Sequence, residues 1–172
     1  MKQKILQIAR HAKSNWDYDQ IADIDRPLKE KGIVRAYQVS HKIKQVNLIP
    51  DLMVSSPANR ALHTAIIFAR VLDVSLTRLS VNQLLYDTSV AQIVELVAHT
   101  SDDIETLMIF GHNPDFTQLV NLFARTRIPN LTTGTAISFV FKTDSWKNIS
   151  REQVEQQINH FPDKNWDFNG MI

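Results

Sequence analysis

The chain has 172 residues, 44% of them hydrophobic and 22% charged, which suits one globular domain with a core of useful size. A formal net charge of +1 gives no global basic field for nucleic acid, so any affinity for an anion must come from a local cluster. There is no cysteine, which excludes disulfides, thiolate metal sites and a cysteine nucleophile.

Met1-Lys2-Gln3-Lys4 leads straight into Ile5-Leu6-Gln7-Ile8-Ala9, which reads as a short buried strand. The run is too short for a secretory signal or a membrane span, so a soluble cytoplasmic protein with no membrane partner is expected. The strand stops at Arg10-His11-Ala12-Lys13-Ser14, and two adjacent polar groups at a buried strand end need a partner or a purpose. Asn15 to Asp25 carries four aspartates and no regular period, which predicts a loop over the strand end, placed to cover a site. Arg26-Pro27-Leu28 then opens a helix to about Gln45. Ile33, Ala36, Tyr37, Ser40 and Ile43 form its inward stripe, and Lys29, Lys31, Arg35, Lys42 and Lys44 its solvated face.

Asp51 to Ser55 predicts a second strand, broken at Ser56-Pro57 and followed by a helix to about Leu72 with Arg60 in its first turn. Thr77 to Leu79 predicts a weak third strand, Asn82 to Ser89 a loop, and Val90 to Ala98 a helix that Ser89 can cap. Thr106 to Phe110 is a stronger apolar strand, broken at Gly111-His112-Asn113-Pro114 before a helix from Asp115 to Arg125. Both breaks place a cap residue before proline, which predicts helix openings there. Thr132-Thr133-Gly134 is a turn, and Ala136 to Phe141 is a final strand by its β-branched and aromatic content. The remainder from Thr143 is polar, with an amphipathic stretch near Arg151 to Ile158, then Phe161-Pro162 and Trp166. With no repeat and no linker, the alternation predicts a single α/β domain over 1–172 with a mostly parallel sheet. The loops beyond the carboxyl ends of such strands line the binding crevice, so Arg10, His11, Arg60 and His112 are expected to converge.

Arg10-His11, Ser55-Ser56-Pro57-x-x-Arg60-Ala61-x-x-Thr64-Ala65 and Gly111-His112-Asn113-Pro114 resemble the three signatures of the histidine phosphatase superfamily. Asp25-Arg26-Pro27-Leu28-x-x-x-Gly32 and Leu85-Tyr86, with the short length, resemble its small SixA-like phosphohistidine phosphatase branch. The similarity runs roughly from Lys4 to Val140. The resemblance implies a phosphoglycerate mutase-like fold, a three-layer α/β sandwich with a mostly parallel central sheet flanked by helices. It also implies a phosphatase whose substrate is phosphohistidine on a partner protein.

Phosphoryl transfer asks a protein mainly for positioning and for positive charge on the equatorial oxygens of the transferring group. Arginine suits this because its planar fork binds two oxygens at once and its charge persists near neutrality. On this reading His11 is the nucleophile, one ring nitrogen attacking phosphorus while the other donates to a neighbouring carbonyl and fixes the tautomer. Arg10 and Arg60 are expected to bind phosphate and to keep His11 neutral by like-charge repulsion. His112 is expected to hydrogen-bond a phosphoryl oxygen, with Ser14 and Asn113 as further phosphate contacts; Ser14 reads equally as a turn cap. Asp87 is the nearest positional candidate for the proton donor of the larger phosphomonoesterases, with a turn cap as its other reading and Asp25 as a competing carboxylate. His41, His63, His99 and His160 lack metal-ligand spacing, so neither a metal site nor a cofactor is expected. Two rival readings stay open: a phosphatase of small phosphomonoesters on the same fold, and a non-catalytic module that recognises phosphorylated partners.

Overall fold

A computed structural model describes residues 3–17 and 20–163. In chain order these form β1 (Lys4–Arg10), α1 (Glu30–Gln45), β2 (Leu52–Ser55), α2 (Asn59–Val71), β3 (Leu79–Val81), α3 (Val90–Ala98), β4 (Thr106–Gly111), α4 (Asp115–Phe123), β5 (Ala136–Phe141) and β6 (Val154–His160), with short 3-10 turns between them. Trp166 lies outside the described residues. The strands make one sheet in the order β3-β2-β4-β1-β5-β6. β3, β2, β4 and β1 run parallel, while β5 is antiparallel to β1 and β6 to β5.

β4 is buried at every position, as a strand covered by helices on both faces must be. Its residues alternate between two cores with the period of two that a pleated strand imposes. Leu107 and Ile109 join Leu6, Ile8, Phe139 and the inner faces of α3 and α4; Met108 and Phe110 join Met53 and the inner faces of α1 and α2. The result is the expected three-layer α/β sandwich.

Three local expectations are corrected. Ala136–Phe141 is not the last strand: the stretch read only as amphipathic supplies a further edge strand, β6. Its exposed Glu155 and Gln156 gave no apolar alternation to read. β3 falls at Leu79–Val81, just after Thr77, because Leu76–Arg78 forms a 3-10 turn first. Finally, α2 and α4 begin with Ala58 and Pro114 at their N-caps and no side-chain cap bond. Ser56 and Asn113 are engaged elsewhere, as described below. Ser89 does cap α3, in a reciprocal capping box with Gln92.

Among the described residues no helix is long and apolar enough to cross a membrane.

Candidate active site

The sheet order puts β4 between β2 and β1, so the segments leaving the carboxyl ends of these three parallel strands emerge side by side. The register of β1 on β4 sets Arg10 opposite Gly111, and the His11 amide donates to the Gly111 carbonyl at 3.1 Å. His11 and His112 are therefore neighbours one step beyond the paired strands, with ring centroids 5.1 Å apart. On the other side of β4, the Ser56 amide continues the ladder to Phe110 O, which brings the Ser56 hydroxyl within 2.7 Å of His112 Nε2.

His11 is buried, and its Nδ1 lies 2.7 Å from the carbonyl of Ala12. A carbonyl only accepts, so Nδ1 carries the proton and Nε2 keeps its lone pair. Burial lowers its pKa from 6.5 to about 4; the Ala12 bond opposes this, and Arg60, Arg10 and Arg26 lower it further. Desolvation therefore leads and the arginine charges come second, the reverse of the emphasis drawn from the sequence. Burial likewise takes His112 to about 3, with His11, Arg60 and Arg10 adding to it. Both rings are neutral at physiological pH.

The second signature acts as a brace for the first. Thr64 Oγ1 donates to Arg60 O one helical turn back, at 2.6 Å, and accepts the Ala12 amide at 3.0 Å. The spacing of Arg60 and Thr64 thus ties the first turns of α2 to the loop beside the nucleophile. On the far side, Gly32 of α1 comes so close to the Lys13 backbone that a Cβ there would lie 2.3 Å from the Lys13 carbonyl oxygen.

Arg10 Nη1 donates to Leu131 O at 2.8 Å and Asn130 Oδ1 at 3.4 Å, and Asn113 Nδ2 donates to the same two acceptors. Arg10 Nε, His112 Nδ1 and Asn113 Oδ1 are buried without a hydrogen-bond partner. Burial lowers the pKa of both Arg10 and Arg60. Arg60 directs Nη1 to the Asp23 carbonyl at 2.6 Å and Nη2 to Asp23 Oδ2 at 2.8 Å.

A cleft of about 400 Å³ opens over this cluster, lined by Arg10, His11, Ser14, Arg60, His112 and Asn113, which sequence reasoning singled out. Lys13, Trp16, Asp23, Arg35 and Thr133 also line it. The sequence places Arg35 on the solvated face of α1, because helical period alone does not say which end of that face meets the cleft. Trp16 and Asp23 belong to the loop expected to cover the site, and the Arg26 guanidinium stacks 3.4 Å above the exposed Trp16 ring. Asp87 is exposed and is not among the residues that line the cleft. Asp25 is not among them either; its carbonyl accepts from Asn59. Among the described residues no group of three His, Cys, Asp or Glu side chains is placed to hold a metal ion.

A mostly parallel α/β sandwich here gathers two imidazoles and two guanidiniums beyond its strand ends, a donor set chemically suited to a tetrahedral oxyanion. The family model of the histidine phosphatase superfamily (branch 1) matches residues 6–87, which contain the first two signatures; the fold adds His112 of the third. A chloroplastic, uncharacterised protein of Arabidopsis thaliana is 26% identical over 149 residues, 81% of this chain and 67% of that protein. Among solved structures, a provisionally assigned phosphohistidine phosphatase SixA from Nakamurella multipartitia has a TM-score of 0.79 at 20% identity, covering 94% of this chain and 98% of the other. The protein histidine phosphatase SixA complexed with tungstate has a TM-score of 0.72 at 19% identity, covering 90% and 96%. The chain resembles the histidine phosphatase superfamily over residues 6–87 and has a SixA-like fold.

Proposed function

We propose that this chain is a phosphatase that removes phosphate from phosphohistidine on a partner protein, with residues 1–172 as one catalytic domain and His11 as nucleophile. The match of residues 6–87 to the superfamily model supports the phosphatase activity. The observation that carries the reading is the bond between His11 Nδ1 and the Ala12 carbonyl. It leaves the Nε2 lone pair available in a cleft shared with Arg10, Arg60 and His112.

In the first step the Nε2 lone pair forms a P–N bond in line as the substrate's P–N bond breaks, and the departing imidazole takes up a proton at the freed nitrogen. Arg10 and Arg60 hold the equatorial oxygens, and His112 hydrogen-bonds one of them as charge shifts. Ser14 and Asn113 are further phosphate contacts on this reading. In the second step water attacks phosphorus, the bond to His11 breaks, and inorganic phosphate leaves with His11 neutral again. One P–N bond replaces another in the first step, and the leaving imidazole has a modest pKa, so a strong general acid is less needed than for an alcohol. The SixA structures of similar fold are a provisionally assigned phosphohistidine phosphatase and a protein histidine phosphatase, which supports the substrate class.

Mixing the protein with a labelled phosphohistidine protein tests this. Transient label on the chain that is acid-labile and base-stable, and lost in His11→Ala, is the expected result. Turnover confined to sugar phosphates and similar monoesters would move the reading to small substrates. Binding of phosphorylated partners with no turnover would make the chain a recognition module.

A further inference from the structure

Among the described residues, Asp23 is the acidic side chain lining the cleft, and both its carboxylate oxygens and its carbonyl are engaged. Its carbonyl accepts Arg60 Nη1 at 2.6 Å, and its Oδ2 accepts both Arg60 Nη2 at 2.8 Å and the Tyr86 hydroxyl at 2.9 Å. Its Oδ1 is paired with the guanidinium of Arg26. The turn that carries it, Asp23–Asp25, is gripped a second time by Asn59, the residue before Arg60, whose side chain donates to Asp25 O at 3.0 Å.

We infer that Asp23 is a positioning residue that fixes the plane of the Arg60 guanidinium, so that the N–H groups it does not use face the phosphoryl oxygens. The inference rests on the phosphatase reading above. An arginine has five N–H donors in a rigid fork, and Asp23 occupies two of them, one through its backbone and one through its carboxylate. A side chain with many rotamers is thereby held in one orientation before substrate arrives, which lowers the entropy lost in reaching the transition state.

A carboxylate beside an arginine could instead act as a rival anion that substrate must displace. Two observations favour the brace. Half of the grip on Arg60 is a backbone carbonyl, which an incoming anion does not replace without moving the turn. The charges that act on His11 are those of Arg60, Arg10 and Arg26, and those on His112 are of His11, Arg60 and Arg10; a carboxylate in the phosphoryl position would oppose them.

Turnover of a phosphohistidine protein and affinity for tungstate, measured in wild type, Asp23→Asn, Arg60→Ala and the double variant, test the inference. Asp23→Asn is expected to lower kcat about tenfold and to weaken tungstate binding, and to change either by less than about twofold once Arg60 is absent. Tyr86→Phe, which removes one donor to the same oxygen, is expected to give a smaller loss that also disappears in the Arg60→Ala background. It carries the test if Asp23→Asn does not fold. Tighter tungstate binding in Asp23→Asn would mark a rival anion and overturn the inference. An equal loss with and without Arg60 would overturn it too, by showing a general structural role. If wild type neither turns over substrate nor binds tungstate, the phosphatase reading has failed; if it does both and Asp23→Asn is silent, only the positioning role has.

Discussion

His11 and His112 stand 5.1 Å apart, ring centroid to centroid, because they are the first residues beyond two strands whose register pairs Arg10 with Gly111. That distance is close to the spacing of adjacent strands, about 4.8 Å. The geometry of the imidazole pair is therefore a property of the sheet, set by apolar residues that never touch a ligand.

The acid behaviour of the protein follows from the burial of these rings. His11 and His112 fall from 6.5 to about 4 and about 3 in the folded chain, while the unfolded chain titrates near the ordinary value. Between 6.5 and those lowered values the unfolded state binds protons that the folded state refuses, so stability is full above 6.5 and declines as pH falls through that window. His160, lowered to about 4 by burial, contributes to the same decline. The urea midpoint is expected to be flat on the alkaline side and to drop toward acid, with a shallower drop in His11→Gln. In kcat/KM, the acid limb from His11 is expected near 4; a limb at 6.5 would show that the ring is solvated.

How much of this was readable in the sequence depended on the range of the interaction. Residues 5–9, 51–55 and 106–110 show as strands because each apolar run ends on a polar motif, and the convergence of Arg10, His11, Arg60 and His112 follows from their place beyond the carboxyl ends of those strands. Ser56 and Asn113 were read as helix caps because local chemistry favours it. In the fold the Ser56 hydroxyl is bonded to His112, and the Asn113 amide to Asn130 and Leu131. Asp23 was illegible: four aspartates between Asn15 and Asp25 look alike in a chain, and the partner that distinguishes this one, Arg60, is 37 positions away.

Arg60→Lys tests whether shape or charge matters at the start of α2. Lysine keeps the cation but not the fork, and it cannot make both bonds to Asp23 while also spanning two phosphoryl oxygens. The expected loss in kcat is about a hundredfold, on the scale of a lost oxyanion donor at roughly 3 kcal/mol. Arg60→Ala is expected to be little worse. Recovery of most activity by lysine would mean that Arg60 acts as a point charge.

Asp87→Asn addresses the proton donor. The side chain is exposed and is not among the described residues that line the cleft, so kcat/KM toward both phosphohistidine and a phosphomonoester is expected to stay within about twofold of wild type, since an effective general acid contributes at least about a hundredfold. A large loss confined to the phosphomonoester would instead restore Asp87 as the acid for alkoxide leaving groups.

Gly32→Ala separates helix propensity from packing. In an open helix the change stabilises by about 1 kcal/mol, because alanine loses less backbone freedom than glycine. Here the new methyl would meet the Lys13 carbonyl oxygen at 2.3 Å and its nitrogen at 2.9 Å, both backbone atoms. The Lys13 carbonyl also accepts the Lys29 amide at 2.8 Å, so it cannot withdraw without breaking the entry to α1. The sign should reverse: a loss of about 1–3 kcal/mol, typical of overpacking, seen as a lower urea midpoint. Activity should fall with it, because the strand-to-helix loop that must yield carries Ala12, whose carbonyl fixes the His11 tautomer, and Ser14 of the cleft wall. A more stable variant with full activity would show that α1 moves instead, and that this contact does not position the nucleophile.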